Sequence, residues 1–409
     1  MTITAPAFGV QRAPRTVVFG AGQRALLGRH AAEYGSSALV CTDQRLAASP
    51  EFARLLTDLE DNGLEVHVWS DTSPELPMSD IDACFDAMEY AGIDVVIGIG
   101  GGSCMDLAKA VALMLTHGGP IDQYYGENAV PSPVLPIIAV PTTGGTGSEV
   151  TPVCVLSDSR RELKAGISSP YLIPSVAICD PELTYSCPPS LTASAGADAV
   201  SHLVESFTAI QRSPSALAEG RVFIGKNVIS DSYARWGLGL LATALPIAIE
   251  RPDDQEARSA VMLAANAGGY ALGVAGTAAA HALQYPLGAL THTPHGVGVG
   301  VLLPYVMRYN APARVEEFAE IAKLFGVPKA GNTQQQALAG IEAVDALLER
   351  IGIPPTLKEL GLAEDQLEYV AELGLQSARL IDNNPRPLDV DALLEITRAA
   401  YAGDRTDPF

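Results

Sequence analysis

The chain is short of positive charge. Against 47 Asp and Glu stand 26 Lys and Arg, a net charge of −21, and no basic run occurs anywhere. A field of that sign disfavours nucleic acid and anionic membranes as partners and aids solubility. It leaves a small-molecule substrate open, because local charge can oppose the net charge. The six cysteines (Cys41, Cys84, Cys104, Cys154, Cys179, Cys187) include no C-x-x-C pair. That excludes a dithiol motif and points to reduced, mostly structural thiols of a cytoplasmic protein. The first residues, MTITAPAFGVQRAPR, lack an apolar core of signal-peptide length. The G-x-S-x-G elbow of hydrolases is absent, and neither an internal repeat nor a low-complexity tract is found.

A further absence needs interpretation. The stretch 259–290 has no Asp, Glu, Lys or Arg. It is long enough to span a bilayer. It is rich in Ala and Gly rather than Leu and Ile, and it carries Asn266, His281 and Pro286. A helix buried inside a soluble helical domain is the expectation.

With 409 residues, 48% of them hydrophobic, the chain can fill two or three domains. The first half alternates apolar runs with amphipathic stretches. Strands are expected at 16–19, 37–41, 63–69, 94–99 and 134–140, with helices such as 45–62 and 78–92 between them. That alternation predicts a parallel sheet wrapped on both faces, with ligands at the carboxyl ends of its strands. After Cys187-Pro188-Pro189 strand-like runs become scarce and helical periodicity prevails, as in 191–208, 255–271, 311–325, 333–351 and 390–400. The expected division is an α/β domain over 1–187 and an all-helical domain over 188–409.

Two loops carry the first chemistry. Gly98-Ile-Gly100-Gly101-Gly102-Ser103-Cys-Met-Asp106-Leu-Ala-Lys109 follows an apolar strand and opens a helix. Its glycines let backbone N–H groups approach an anion, and the helix N-terminus favours negative charge. A pyrophosphate cradle needs these features; so does an ordinary strand-to-helix turn. Thr142-Thr143-Gly144-Gly145-Thr146-Gly147-Ser148 is a second such loop after a second strand, and alone it reads as a surface turn. One long phosphorylated ligand, such as a nicotinamide dinucleotide, accounts for both loops together. Asp43, just after a strand, is placed to take ribose hydroxyls and to repel a 2′-phosphate, favouring NAD over NADP. A turn-forming Asp would sit there equally well.

The second chemistry is metal ligation. Asp198 and His202 are four residues apart and share a helical face. His281 and His295 flank a Pro- and Gly-containing segment. A lone buried histidine is commonly structural. One carboxylate with three imidazoles makes a four-ligand set for a divalent transition metal, and it does not choose among Fe(II), Zn(II), Mn(II) and Co(II).

The stretches GGGSCMDLAK, PTTGGTGSEVTP, GADAVSHLVESF and HALQYPLGALTHTPHG, with Asn384-Pro-Arg386 near the C-terminus, resemble in order and spacing the motifs of the iron-containing (group III) alcohol dehydrogenases. The resemblance runs over about residues 15–400. It implies a Rossmann-like α/β N-terminal domain, an all-α C-terminal metal-binding domain, and a cleft between them for NAD(P) and the metal. It implies Asp198, His202, His281 and His295 as ligands of Fe(II), with Zn(II) as the alternative. Asp43, Gly100, Gly101, Gly102, Ser103, Asp106, Thr142, Thr143 and Ser148 fall at dinucleotide positions, and Lys164 matches a lysine near the nucleotide ribose. It implies a small alcohol or aldehyde substrate and a homodimer or higher homo-oligomer.

Two positions depart from the family pattern. Tyr285 stands where relatives carry a second histidine four residues after the third ligand. A phenol with a pKa of about 10 is a poor shuttle at neutral pH. His292 is an extra imidazole, so a proton relay through His292, the Tyr285 hydroxyl or water is the expectation; the bland alternative is that Tyr285 packs and His292 is a surface residue. Leu272 stands where many relatives have an aromatic. The expected reaction is reversible oxidation of an alcohol to an aldehyde or ketone, with the metal as Lewis acid and the nicotinamide as hydride carrier. A maleylacetate reductase-like keto-acid reductase, a hydroxyacid–oxoacid transhydrogenase and a lyase of the dehydroquinate synthase type share the architecture and are the alternatives.

Overall fold

Apolar runs of four to six residues become the strands of a parallel sheet in the computed structural model, which describes residues 8–161, 164–213 and 220–409. The described residues form nine strands: β1 (Thr16–Phe19), β2 (Ser37–Cys41), β3 (Glu65–Trp69), β4 (Val95–Gly100), β5 (Gly126–Glu127), β6 (Ile137–Pro141), β7 (Val153–Leu156), β8 (Ala165–Ser168) and β9 (Val176–Cys179). Six form the main sheet in the order β1-β9-β6-β4-β2-β3, and every pairing within it is parallel. β2, β4 and β6 are buried along their whole length. Burial on both faces explains continuous apolar runs in place of alternation.

Successive side chains still divide between two cores. Leu39, Val96 and Ile137 pack with Ile81, Leu107 and Val111 on one face. Val40, Ile97 and Ile138 pack with Leu27, Leu55 and Leu59 on the other. β9 was not expected: four residues between Pro174 and Asp180-Pro181 are too few to show a pattern. The small sheet β5-β8-β7 was also not expected, since its strands are short and mix Gly and Ser with apolar residues. The helix expected at 45–62 is two. Pro50 has no N–H to continue the first, so it opens a new helix, Pro50–Asp61, capped by the Ser49 hydroxyl accepting the Phe52 N–H.

The described residues form two compact units, one of residues 12–186 and one of residues 8–11 with 187–409. Residues 8–11, expected with the α/β domain, group with the helical unit, where the Val228 N–H donates to the Phe8 carbonyl; residues 1–7 lie outside the described residues. That unit is built on a core of small and branched residues, from Ala197, Val200 and Leu203 to Leu302 and Val306. The uncharged stretch 259–290 is not one helix. It belongs to helices Gln255–Ala275 and Ala279–Thr291, bent 105° at a break where Gly276 has φ +80°. Most of its residues are buried. No single described helix is long and apolar enough to cross a membrane.

Candidate active site

In the α/β unit, β2, β4 and β6 are neighbours, and Asp43, the Gly101–Ser103 turn and the Thr142–Ser148 loop leave their three carboxyl ends. The Thr142 N–H donates to the Gly100 carbonyl, locking the two loops side by side. Gly100 has φ +151°, a conformation that a side chain would strain, and a Cβ there would meet the Cys104 sulfur at 2.6 Å. Helix Gly102–His117 starts at this turn without a side-chain cap, so its first N–H groups lack a side-chain acceptor. These are the features of an anion cradle at a parallel-sheet edge. Asp43 Oδ1 accepts the Leu46 N–H as the N-cap of the next helix, so the turn-forming role is real.

Two residues expected to face the dinucleotide are bound internally. The Ser148 hydroxyl donates to Asp106 Oδ1 at 2.7 Å and accepts from Lys109 Nζ at 2.8 Å. Asp106 Oδ2 accepts the Val155 N–H. Lys109, with no exposed surface, also donates to the carbonyls of Ser148 and Val153. Burial pushes the Asp106 carboxyl up from its ordinary value and the Lys109 ammonium down, and each partner opposes the other's shift. Lys109, three residues after Asp106 on the helix that follows the glycine turn, was named in that motif but given no role; its place one helical turn from Asp106 was the available signal. Lys164, leading into β8, forms an ion pair with Glu75.

The second constellation lies wholly in the helical unit. Helix Pro189–Thr208 carries Asp198 and His202 one turn apart, His281 lies in the first turn of helix Ala279–Thr291, and His295 opens helix His295–Asn310. Gly296 lets that last helix approach: a Cβ there would stand 2.0 Å from the Ser194 carbonyl oxygen. The structure brings all four expected ligands together. From Asp198 Oδ1 it is 3.4 Å to His202 Nε2, 3.6 Å to His281 Nε2 and 3.5 Å to His295 Nε2. Donors about 2.1 Å from one tetrahedral centre lie about 3.4 Å apart. Asp198 Oδ1 and His281 Nε2 are buried with no hydrogen-bond partner, a cost that a shared cation removes. The donor set therefore fits a divalent metal. Among the described residues Asp198, His202 and His281 form the one such group of ligand atoms all within 4.8 Å of one another. Asp198, His202 and His281 are buried, and the His295 side chain is 25% exposed, so the site opens on the His295 side.

The ligand groups also act on one another electrostatically. Burial opposes ionisation of Asp198, yet the three imidazoles together hold its carboxyl well below the usual carboxylate range. Burial also disfavours a charged His281, but Glu205 and Asp198 outweigh it and raise the imidazole to about 9.

Two residues touching the ligands were missed. Glu205 Oε2 lies 2.6 Å from His281 Nδ1, and Gln284 Oε1 lies 2.6 Å from His295 Nδ1. Their spacing was the available signal. Glu205 is seven residues after Asp198 and Gln284 three after His281, each on a ligand-bearing helical face. The relay candidates fall at different depths. Tyr285 is half-buried, its ring centroid 6.3 Å from that of His295. His292 is exposed and caps its helix in the left-handed region at φ 54°. Leu272 is buried.

Residues 14–181 match the model of the iron-containing alcohol dehydrogenases, and residues 192–401 match that of the C-terminal domain of the Fe-containing alcohol dehydrogenase family. The chain is 34% identical to long-chain-alcohol dehydrogenase 1 of Geobacillus thermodenitrificans over 90% of its own length and 91% of the relative's. Among solved structures, a 1,3-propanediol oxidoreductase superposes with a TM-score of 0.90 at 32% identity, over 96% of this chain and 100% of that one. The sulfoacetaldehyde reductase of Bifidobacterium kashiwanohense, solved with NAD+, does so with a TM-score of 0.82 at 32% identity, over 98% and 100%. With both halves matched and both constellations in place, the chain belongs to the iron-containing alcohol dehydrogenase family and is an oxidoreductase acting on CH–OH groups.

Proposed function

We propose that the protein interconverts a small alcohol and its aldehyde or ketone, with one divalent metal, Fe(II) or Zn(II), held by Asp198, His202, His281 and His295, and with NAD as the hydride partner. The observation that carries this reading is the convergence of three histidine Nε2 atoms on a single Asp198 oxygen, each within 3.6 Å. When bound, the metal supplies Lewis-acid polarisation of the substrate oxygen and the nicotinamide supplies the hydride chemistry.

The chain's own residues do the rest. Backbone N–H groups of Gly101, Gly102 and Ser103 receive the pyrophosphate, with Thr142 and Thr143 at the neighbouring strand end. Asp43 takes the ribose hydroxyls with its second carboxylate oxygen and repels a 2′-phosphate. Asp106 and Ser148 hold the loop in shape rather than touch the nucleotide, because Ser148's single O–H is committed to Asp106. Tyr285, beside His295, passes the substrate proton outward and exposed His292 exchanges it with solvent. The protein works as a cytoplasmic homodimer or larger homo-oligomer. Among the described strands β1 lies at the sheet edge and pairs with β9 alone, and its other side is offered to a second copy.

The test is metal analysis of purified protein joined to an NAD-reduction assay over primary alcohols and diols, with and without Fe(II) or Zn(II). About one metal per chain and metal-dependent NADH formation is the expected result. Metal without NADH formation redirects the reading to a transhydrogenase or lyase. No metal after anaerobic purification with iron supplied removes the ligand assignment.

A further inference from the structure

Helix Ala279–Thr291 begins without a cap of its own, since Ala278 has no side-chain acceptor. Its first N–H groups are satisfied from another helix. Glu205 Oε2 accepts the Ala278 N–H at 3.0 Å and Oε1 accepts the Ala280 N–H at 2.7 Å. The same carboxylate meets His281 Nδ1 at 2.6 Å, and Glu205 is 2% exposed. One buried carboxylate thus fixes both the end of the helix and the ring it carries. Negative charge at that N-terminus is favourable in itself.

An ionised carboxylate only accepts hydrogen bonds, so at 2.6 Å the Nδ1 must carry the proton. The alternative tautomer would set a nitrogen lone pair against an oxygen lone pair. With Nδ1 protonated, Nε2 has its electron pair for a cation, and Nε2 is the atom that faces Asp198. Charge points the same way. Asp198 and Glu205 are two buried carboxylates on one helix, and a divalent cation among neutral imidazoles balances both.

We infer that Glu205 is the positioning residue of the metal site: it fixes the His281 tautomer and the start of its helix so that Nε2 meets the cation. This rests on the metal reading above. Gln cannot replace it. If the amide oxygen takes the Oε2 position, its NH2 faces the Ala280 N–H. If the amide is flipped, its NH2 faces His281 and drives the ring proton to Nε2, where it blocks the metal.

The experiment titrates metal-free protein with Zn(II) alone against a chromophoric chelator, without nucleotide or substrate. Glu205→Gln is expected to weaken Zn(II) binding by about 10–100-fold, the usual effect of losing such a partner. In a His281→Ala background the same substitution is expected to change Zn(II) affinity less than twofold, because its effect runs through His281. Equal weakening in both backgrounds overturns the inference in favour of a general structural role, and so does wild-type affinity in Glu205→Gln. A second readout uses the Zn(II)-loaded wild type and survives a variant that fails to fold. An 15N-edited spectrum is expected to show a slowly exchanging Nδ1–H on His281; a ring protonated at Nε2 overturns the inference. Wild-type protein that takes up no Zn(II) fails the metal reading itself and this inference with it. Uptake unchanged by the substitution fails the inference alone.

Discussion

Lys109 Nζ lies 2.8 Å from the Ser148 hydroxyl oxygen and 2.7 Å from the Ser148 carbonyl oxygen, with no solvent exposure. It joins the glycine-loop helix to the loop after β6, and Asp106 closes the ring by accepting the Ser148 hydroxyl. Lys109→Met keeps the stem and removes the ammonium. It leaves the Ser148 and Val153 carbonyls and the Asp106 carboxylate without their cation. Breaking a buried pair from one side costs about 3–5 kcal/mol. A loss of that order is expected in denaturant unfolding, together with an NAD KM that rises more than kcat falls. Unchanged unfolding would show that the network does not hold the loop.

What the sequence made legible follows a physical division. Periodicity and apolar runs located β2, β4 and β6, because strands buried on both faces have no room for polar residues. The four proposed metal ligands were legible because histidine is scarce, seven in the chain, and two of the four positions lie one helical turn apart. Glu205 and Gln284 were not. Glutamate and glutamine are ordinary on helices, and only the fold shows that these two meet ring nitrogens. Likewise, Ser148 reads from its loop as a ligand contact. Its bond to Asp106 spans 42 residues and becomes visible only when the helix after β4 packs beside the loop.

Metal affinity is expected to depend on pH through His281. Its folded-state pKa, raised to about 9, exceeds the unfolded value of about 6.5. The stability it contributes to the metal-free protein is therefore complete below about pH 6.5 and is lost as pH rises through 9. The size is about 3 kcal/mol by linkage. Asp198 works in the opposite sense: its lowered carboxyl stabilises above about pH 4 and loses that contribution as pH falls. A cation must displace the His281 proton, so apparent Zn(II) affinity rises by about tenfold per pH unit up to about pH 9 and then levels. Chelator competition at four pH values, with unfolding of metal-free protein at the same values, measures both. A flat affinity profile would mean that His281 does not give up a proton to the metal.

The relay proposal separates its two members by depth. Tyr285 is half-buried against His295 and His292 is exposed. Tyr285→Phe removes the inner hydroxyl and keeps the ring, and is expected to lower kcat by about a hundredfold while leaving metal content unchanged. His292→Ala removes the outer exchanger and is expected to shift the pH–rate profile without changing Zn(II) affinity. A His292→Ala profile that overlays wild type would leave His292 as a helix-capping surface residue.

Gly296 tests whether backbone approach sets the fourth ligand. A Cβ at this position would stand 2.0 Å from the Ser194 carbonyl oxygen and 2.8 Å from its carbon, with Asp198 Cβ at 3.1 Å. Two of those atoms are backbone of the helix bearing Asp198, so no rotamer change makes room, and helix His295–Asn310 must withdraw. His295 is the adjacent residue, so its Nε2 retreats from Asp198 Oδ1. Overpacking of this kind costs about 1–3 kcal/mol, and Gly296→Ala is expected to lose that in unfolding and at least tenfold in Zn(II) affinity. Gly239→Ala is the control, since its added methyl meets nothing within 4 Å in the same unit. Relief of glycine's backbone entropy inside helix Val228–Glu250 should stabilise it by about 0.5–1 kcal/mol. A Gly296→Ala protein that binds Zn(II) as tightly as wild type would show that His295 reaches the site without this close packing, and that the ligand distances tolerate a shifted helix.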